Sequence, residues 1–148
     1  MTNPNRVFSA EEQVAARIFL AEDDMDDQEL LIEAMAVHLP GAVVQTASNG
    51  KKALTILQAL PDPALPTLII VDYNLPEVNG SEILKALAAE ARYAAIPKLV
   101  WSTSNSPLYR QICLDLGARA YFVKPSDIKG IERMAREMLA LSDLVPSH

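Results

Sequence analysis

Cysteine occurs once in this chain, at Cys113, so no disulfide can close between two of its own residues. Long apolar runs are lacking as well. The longest are a few residues, far below the roughly 20 needed to span a bilayer, so no membrane segment is expected. There is no basic cluster, and the net charge is −6. Sequence-independent nucleic-acid binding relies on Lys and Arg to neutralise phosphates, so nucleic acid is not an expected partner. The opening residues MTNPNRVFSAEEQ carry neither a charged-then-apolar leader nor a cleavage site. The expected location is therefore cytoplasmic.

What is present describes a globular protein. Half the residues are apolar and 22% are charged, and 148 residues suit one domain with a real core. Residues 1–16 read as an extension, in which Ser9 and Glu12 have the spacing of a capping box. Residues 17–142 form the expected domain, and 143–148 a short tail. No internal repeat, low-complexity tract or long linker interrupts the pattern, and no second domain is expected after the last helix.

Within the domain, short β-type runs alternate with helix-period stretches. Strands are predicted at 18–21, 43–46, 68–71, 99–101 and 120–123, four of them nearly continuous apolar runs, as suits strands covered on both faces. Helical stripes follow: Leu30, Leu31, Ala34 and Met35, stopped by Pro40-Gly41, then Ala53, Ile56, Leu57 and Leu60, ended by PDPALP. Ile83, Leu84, Leu87 and Ala88 make the third. Leu108, Ile112 and Leu116 make the fourth, started by Pro107 and stopped by Gly117. Ile128, Ile131, Ala135 and Met138 make the last. Five strand–helix alternations imply an α/β, flavodoxin-like (βα)5 doubly wound fold with a mainly parallel sheet.

Open α/β sheets carry their chemistry at the carboxyl ends of the strands. Here the first strand runs into Glu22-Asp23-Asp24, the third into Asp72, the fourth into Ser102-Thr103-Ser104 and the fifth into Lys124-Pro125. In the strand order 2-1-3-4-5, Glu22, Asp23 and Asp72 converge, with a hydroxyl and an ammonium on the other side of Asp72. Three close carboxylates repel and raise one another's pKa, and a hard divalent cation relieves that repulsion. A metal, a lysine and a hydroxyl around one carboxylate meet the needs of phosphoryl transfer, where a carboxylate can be the nucleophile.

The segments FLAEDD, VDYNLPEVNG, WSTS and YFVKP together resemble the receiver domain of two-component response regulators, over roughly residues 17–142. The resemblance implies that Asp72 is the phosphoacceptor and that Glu22 and Asp23 are the acidic pair holding Mg²⁺. Asn74 would add its backbone carbonyl to the metal. Ser102 would be the hydroxyl that turns toward the phosphoryl group, Lys124 the lysine that contacts it, and Tyr121 the aromatic switch. Pro76 and Gly80 suit the loop after the acceptor, with Gly80 opening the third helix. Two positions depart from the pattern. Thr103 stands where a small Ala or Gly is commoner, which leaves the hydroxyl open between Ser102 and Thr103, although counting back from Lys124 favours Ser102. Ser126 stands where many members are apolar.

The implied partners are a sensor histidine kinase or a phosphotransfer protein, which would make the chain a signalling component rather than a metabolic enzyme. The chain also looks similar to the small receivers paired with bacterial phytochrome kinases, through the PDPALP loop and residues 103–107. Homodimerisation through the last helix or the N-terminal extension is a further expectation. Asn74 and Ser104 occupy positions that tune the phosphoryl lifetime in the family.

Single features have plainer readings. Asp24, Asp26 and Asp27 suit the start of a helix, where carboxylates favour the dipole. Trp101 reads as core, turned away from the site by strand alternation. Cys113 reads as a small buried hydrophobe. His38 and His148 lack metal-ligand partners at useful spacing. Three other classes were weighed. A haloacid-dehalogenase-type phosphatase needs a second Asp where Asn74 stands. A flavodoxin-like cofactor binder needs a phosphate loop where Glu22-Asp23-Asp24 stand. A pseudo-receiver scaffold would bind partners without phosphorylation, and the intact set of five site residues argues against it.

Overall fold

Parallel sheets buried on both faces select β-branched and other apolar residues, and the middle strand shows this most fully. In the computed structural model, which describes residues 16–146, every residue of β3 (Leu68–Asp72) is buried. The other strands are β1 (Arg17–Ala21), β2 (Val43–Ala47), β4 (Lys98–Ser102) and β5 (Ala120–Val123). They are parallel and ordered β2-β1-β3-β4-β5, as the sequence predicts. Edge strand β2 alternates in burial, with Val43 open to solvent. The predicted capping box at Ser9 and Glu12, and His148, lie outside the described residues.

Among the described residues, five α-helices cover the sheet: α1 (Met25–His38), α2 (Gly50–Ala59), α3 (Gly80–Ala88), α4 (Pro107–Asp115) and α5 (Ile128–Leu141). Each starts on a side-chain cap that accepts a first-turn N–H: Asp24, Asn49, Asn79, Ser106 and Asp127 in turn. Asn79 and Glu82 complete a capping box. Strand alternation sends side chains to two cores. Ile18, Leu20, Ile70, Leu99 and Trp101 pack with α1 and α5. Phe19, Val71, Val100 and Tyr121 pack with α2, α3 and α4.

Three predicted stripes need correction. On α4 the fully buried residue is Cys113, with Tyr109 and Leu116 packed against the same core, while Leu108 is 65% exposed. The expected stripe holds at Leu116 but not at Leu108, whose place against the core is taken by the larger Tyr109. Ile128 on α5 and Ala88 on α3 are likewise exposed, each at the end of a helix where the stripe drifts off the sheet. The fourth strand also begins one residue early, at Lys98. That lysine is buried, and its ammonium donates to the Tyr93 carbonyl.

The loop from Asp72 to α3 is held by two glycines at close backbone approaches. A Cβ on Gly80 would lie 2.5 Å from the Asp72 carbonyl oxygen, and one on Gly50 would lie 1.6 Å from that of Val78. Both N–H groups donate into the loop, Gly80 to Tyr73 O (2.9 Å) and Gly50 to Pro76 O (3.2 Å). Between them Glu77 takes a left-handed φ of 68°, a conformation that a non-glycine residue adopts only against some strain. Among the described residues no helix is long and apolar enough to cross a membrane.

Candidate functional site

The carboxyl ends of β1, β3 and β5 meet around one ammonium. Lys124 Nζ donates to Glu22 Oε1 at 2.7 Å, Asp72 Oδ2 at 2.7 Å and Asp27 Oδ2 at 2.9 Å. Glu22 is fully buried and Asp72 nearly so, whereas Asp23 is exposed. Backbone amides tie down the remaining oxygens of the buried pair. Asn74 N–H donates to Asp72 Oδ1 (2.9 Å), and Asp24 N–H donates to Glu22 Oε2 (3.1 Å).

This crowding of charge perturbs the site. Burial, with the Asp72 charge adding to it and the Lys124 hydrogen bond opposing it, pushes Glu22 up to about 8. Burial alone would drive Lys124 toward its neutral form. Its hydrogen bonds to Asp72, Glu22 and Asp27 outweigh that and hold it protonated well above the ordinary lysine range. One ammonium thus faces several carboxylates. Glu22, Asp23 and Asp72 each offer an oxygen, and these lie within 4.8 Å of one another. Hard oxygen donors and a surplus of negative charge fit a divalent cation of the magnesium type.

The hydroxyl and the aromatic stand on the flank toward α4. Ser102 is fully buried at the end of β4, while Thr103 is exposed, so the buried hydroxyl is that of Ser102. Its Oγ accepts from Ser104 N–H (3.1 Å). Tyr121 is buried, and its hydroxyl donates to the carbonyl of the same Ser104 (2.8 Å). Arg110 covers the Tyr121 ring at 5.2 Å and donates to its carbonyl. Beside them Tyr73, next to Asp72, stacks on Tyr109 of α4 with centroids 4.3 Å apart. Ser102 and Tyr121 are therefore linked through Ser104, and neither has a hydrogen bond to Asp72.

Two contacts escaped sequence reasoning. Asp27, taken for a helix-start carboxylate, is a full partner of Lys124. Asp24 does play the capping role, accepting from Asp27 N–H. The signal for Asp27 was its place in the first turn, since helical side chains lean toward the helix N-terminus and this one leans back over the strand ends. Trp101 is core as expected, but it is not remote from the site. Lys124 Nζ lies 4.6 Å from its ring centroid, and its indole Nε1 has no hydrogen-bond partner among the described residues.

Known proteins resemble this chain in sequence and in fold. A family model for the response regulator receiver domain matches residues 18–136. A probable transcriptional regulatory protein of Picosynechococcus is 31% identical over 97% of this chain, which spans 57% of that relative. The rice (Oryza sativa subsp. indica) two-component response regulator ORR11 is 32% identical over 65% of this chain and 63% of its own length. The chain thus spans about three-fifths of these curated relatives. The crystal structure of the phosphorylated cyanobacterial phytochrome response regulator RcpA superposes with a TM-score of 0.79 at 27% identity, covering 89% of this chain and 99% of that one.

Proposed function

The chain belongs to the response regulator receiver domain family, and from that premise we propose that Asp72 accepts a phosphoryl group in a magnesium-dependent reaction. The donor is a phosphohistidine on a sensor histidine kinase or phosphotransfer protein. An Asp72 carboxylate oxygen attacks phosphorus in line, the O–P bond forms as the P–N bond breaks, and the histidine nitrogen keeps the electron pair. The observation that carries this reading is the three-way clamp on Lys124, which holds an ammonium 2.7 Å from Asp72 Oδ2 beside the Glu22–Asp23 pair.

Mg²⁺ held by Glu22, Asp23, Asp72 and the Asn74 carbonyl would neutralise charge on the transferred oxygens. Lys124 contributes a second positive charge from the side of β5. Ser102 turns its hydroxyl toward the phosphoryl group and gives up the Ser104 amide. Tyr121 grips the carbonyl of that same residue, so residues 103–107 shift with it and Tyr121 repacks. Leu108, Val123 and Ile128, exposed on α4, β5 and α5, make the surface that changes. The signal leaves by phosphorylation-dependent contact of that surface with a target or a second copy of the chain. The likeness to RcpA supports a phytochrome-type kinase as the donor, and the reading places the chain in the cytoplasm.

Response regulator receivers are signalling proteins, and the only chemistry proposed here is the chain's own phosphorylation and dephosphorylation. The test is incubation with acetyl phosphate, with and without Mg²⁺, followed by intact mass and site mapping. One magnesium-dependent phosphoryl adduct on Asp72, lost in Asp72→Asn, is expected. An adduct of unchanged stoichiometry in Asp72→Asn sinks the assignment.

A further inference from the structure

An ammonium has three N–H bonds, and all three of Lys124's point at carboxylates. Under the reading in which Asp72 accepts a phosphoryl group, one of them must swing to the incoming oxygens. The three partners differ in how readily they let go. Glu22 is fully buried at 2.7 Å, with its other oxygen held by the Asp24 amide. Stripping it of the lysine would leave a desolvated carboxyl with that single amide as its partner. Asp72, also at 2.7 Å, is the reacting group itself. Asp27 makes the longest contact, 2.9 Å, and its side chain is 32% exposed, so water can replace the lysine there. On another side of the ammonium the Trp101 ring lies 4.6 Å away and offers attraction but no hydrogen-bond acceptor.

We propose that Asp27 is a positioning residue that holds the third N–H of Lys124 before phosphorylation and yields it to the phosphoryl oxygens during transfer. Trp101 steadies the ammonium while that exchange takes place. Asp27 thereby acts as a brake. Its carboxylate stabilises the resting position of Lys124, and its release adds to the barrier for phosphoryl transfer to Asp72. Because the contact is given up on the way to the transition state, its removal changes the rate at saturating donor rather than donor affinity alone.

The test measures phosphorylation of the full chain by acetyl phosphate in excess Mg²⁺, as a function of donor concentration. It uses Asp27→Asn, Asp27→Ala and, as a charge control, Asp26→Asn. Asp26 lies in the same first turn and has no ion pair with Lys124. The expected result is a rise in the saturated rate of roughly fivefold in both Asp27 variants, the scale of losing one charge-assisted hydrogen bond that water partly replaces. Asp26→Asn should leave the saturated rate unchanged. Melting temperatures of all three identify any variant that has lost its fold. Equal acceleration in Asp26→Asn and Asp27→Asn would mean a general charge effect and overturn the proposal, as would an unchanged or lower rate in folded Asp27 variants. If the folded wild-type chain accepts no phosphoryl group at all, the receiver reading fails and this inference goes with it.

Discussion

The helices on either side of β5, one on each face of the sheet, are anchored to different degrees. On one, α5 buries Ile131, Met134, Ala135, Met138 and Leu139 against Leu99 and Trp101, with α1 alongside. On the other, α4 buries only Cys113 fully and leans on the half-buried Tyr109. The α5 face is mostly aliphatic, with Trp101 and the half-buried Phe122 as its aromatics. The α4 face mixes aliphatic residues with Phe19 and four tyrosines, and two of their hydroxyls end on backbone carbonyls, Tyr93 on Leu57 O and Tyr121 on Ser104 O. A segment with few buried apolar contacts opens at lower free energy than one with many. The acidic pocket around Asp72 sits on the seam, with Lys124 and Asp27 on the firm side and Ser102, Ser104 and Tyr121 on the loose side. Under the proposed function, that difference would let one site be held rigidly for chemistry and still move something.

The largest effect that sharpens this contrast is a cavity on the firm side. Met138→Ala should cost about 2–5 kcal/mol of unfolding free energy in a denaturant titration. Leu108→Ala on α4, 65% exposed, should stay within about 0.5 kcal/mol. Equal costs at the two positions would break the comparison.

The next effect concerns the seam itself, in metal-free protein. Glu22 is raised from 4.5 to about 8 in the folded chain, so the native state binds its proton more tightly than the unfolded state does. Its contribution to stability is fully present below the unfolded value and is lost as pH rises through that window. The metal-free melting temperature should therefore fall between about pH 5 and pH 8. Glu22→Gln should flatten the profile, and Mg²⁺ should restore stability at the upper end. A profile that rises across the window in metal-free wild type would contradict the site's electrostatics. A smaller effect belongs to the loose side. Tyr121→Phe removes the bond to Ser104 O and should cost about 1 kcal/mol, read from the same denaturant titration.

Much of this was legible in the sequence because the fold sorts residues by strand end. Once the strands take the order of the flavodoxin-like fold, the convergence of Glu22, Asp23 and Asp72 and the approach of Lys124 follow from where the apolar runs stop. Less legible were features that depend on rotation about a helix axis. The α4 stripe was right at Leu116 and wrong at its start, because Leu108 and Ile112 have helical spacing, whereas Tyr109 and Cys113, one position on, face the sheet. Asp27 was hidden for a related reason, since a carboxylate in a helix's first turn suits both the dipole and a partner across the site. Trp101 illustrates the same limit. Alternation places it in the α5-side core, but only the length of the Lys124 side chain brings the ammonium to its ring.

Under the proposed function, phosphorylation of Asp72 is read out on α4, β5 and the first turn of α5, while α1 and the rest of α5 hold still. Hydrogen exchange followed by mass spectrometry, with Mg²⁺ present and with and without acetyl phosphate, tests it most directly. Altered protection is expected in residues 103–123 and unchanged protection in α1 and in α5 beyond its first turn, and the change should be absent in Asp72→Asn. Protection that changes equally on both faces, or only in α1 and α5, would contradict it.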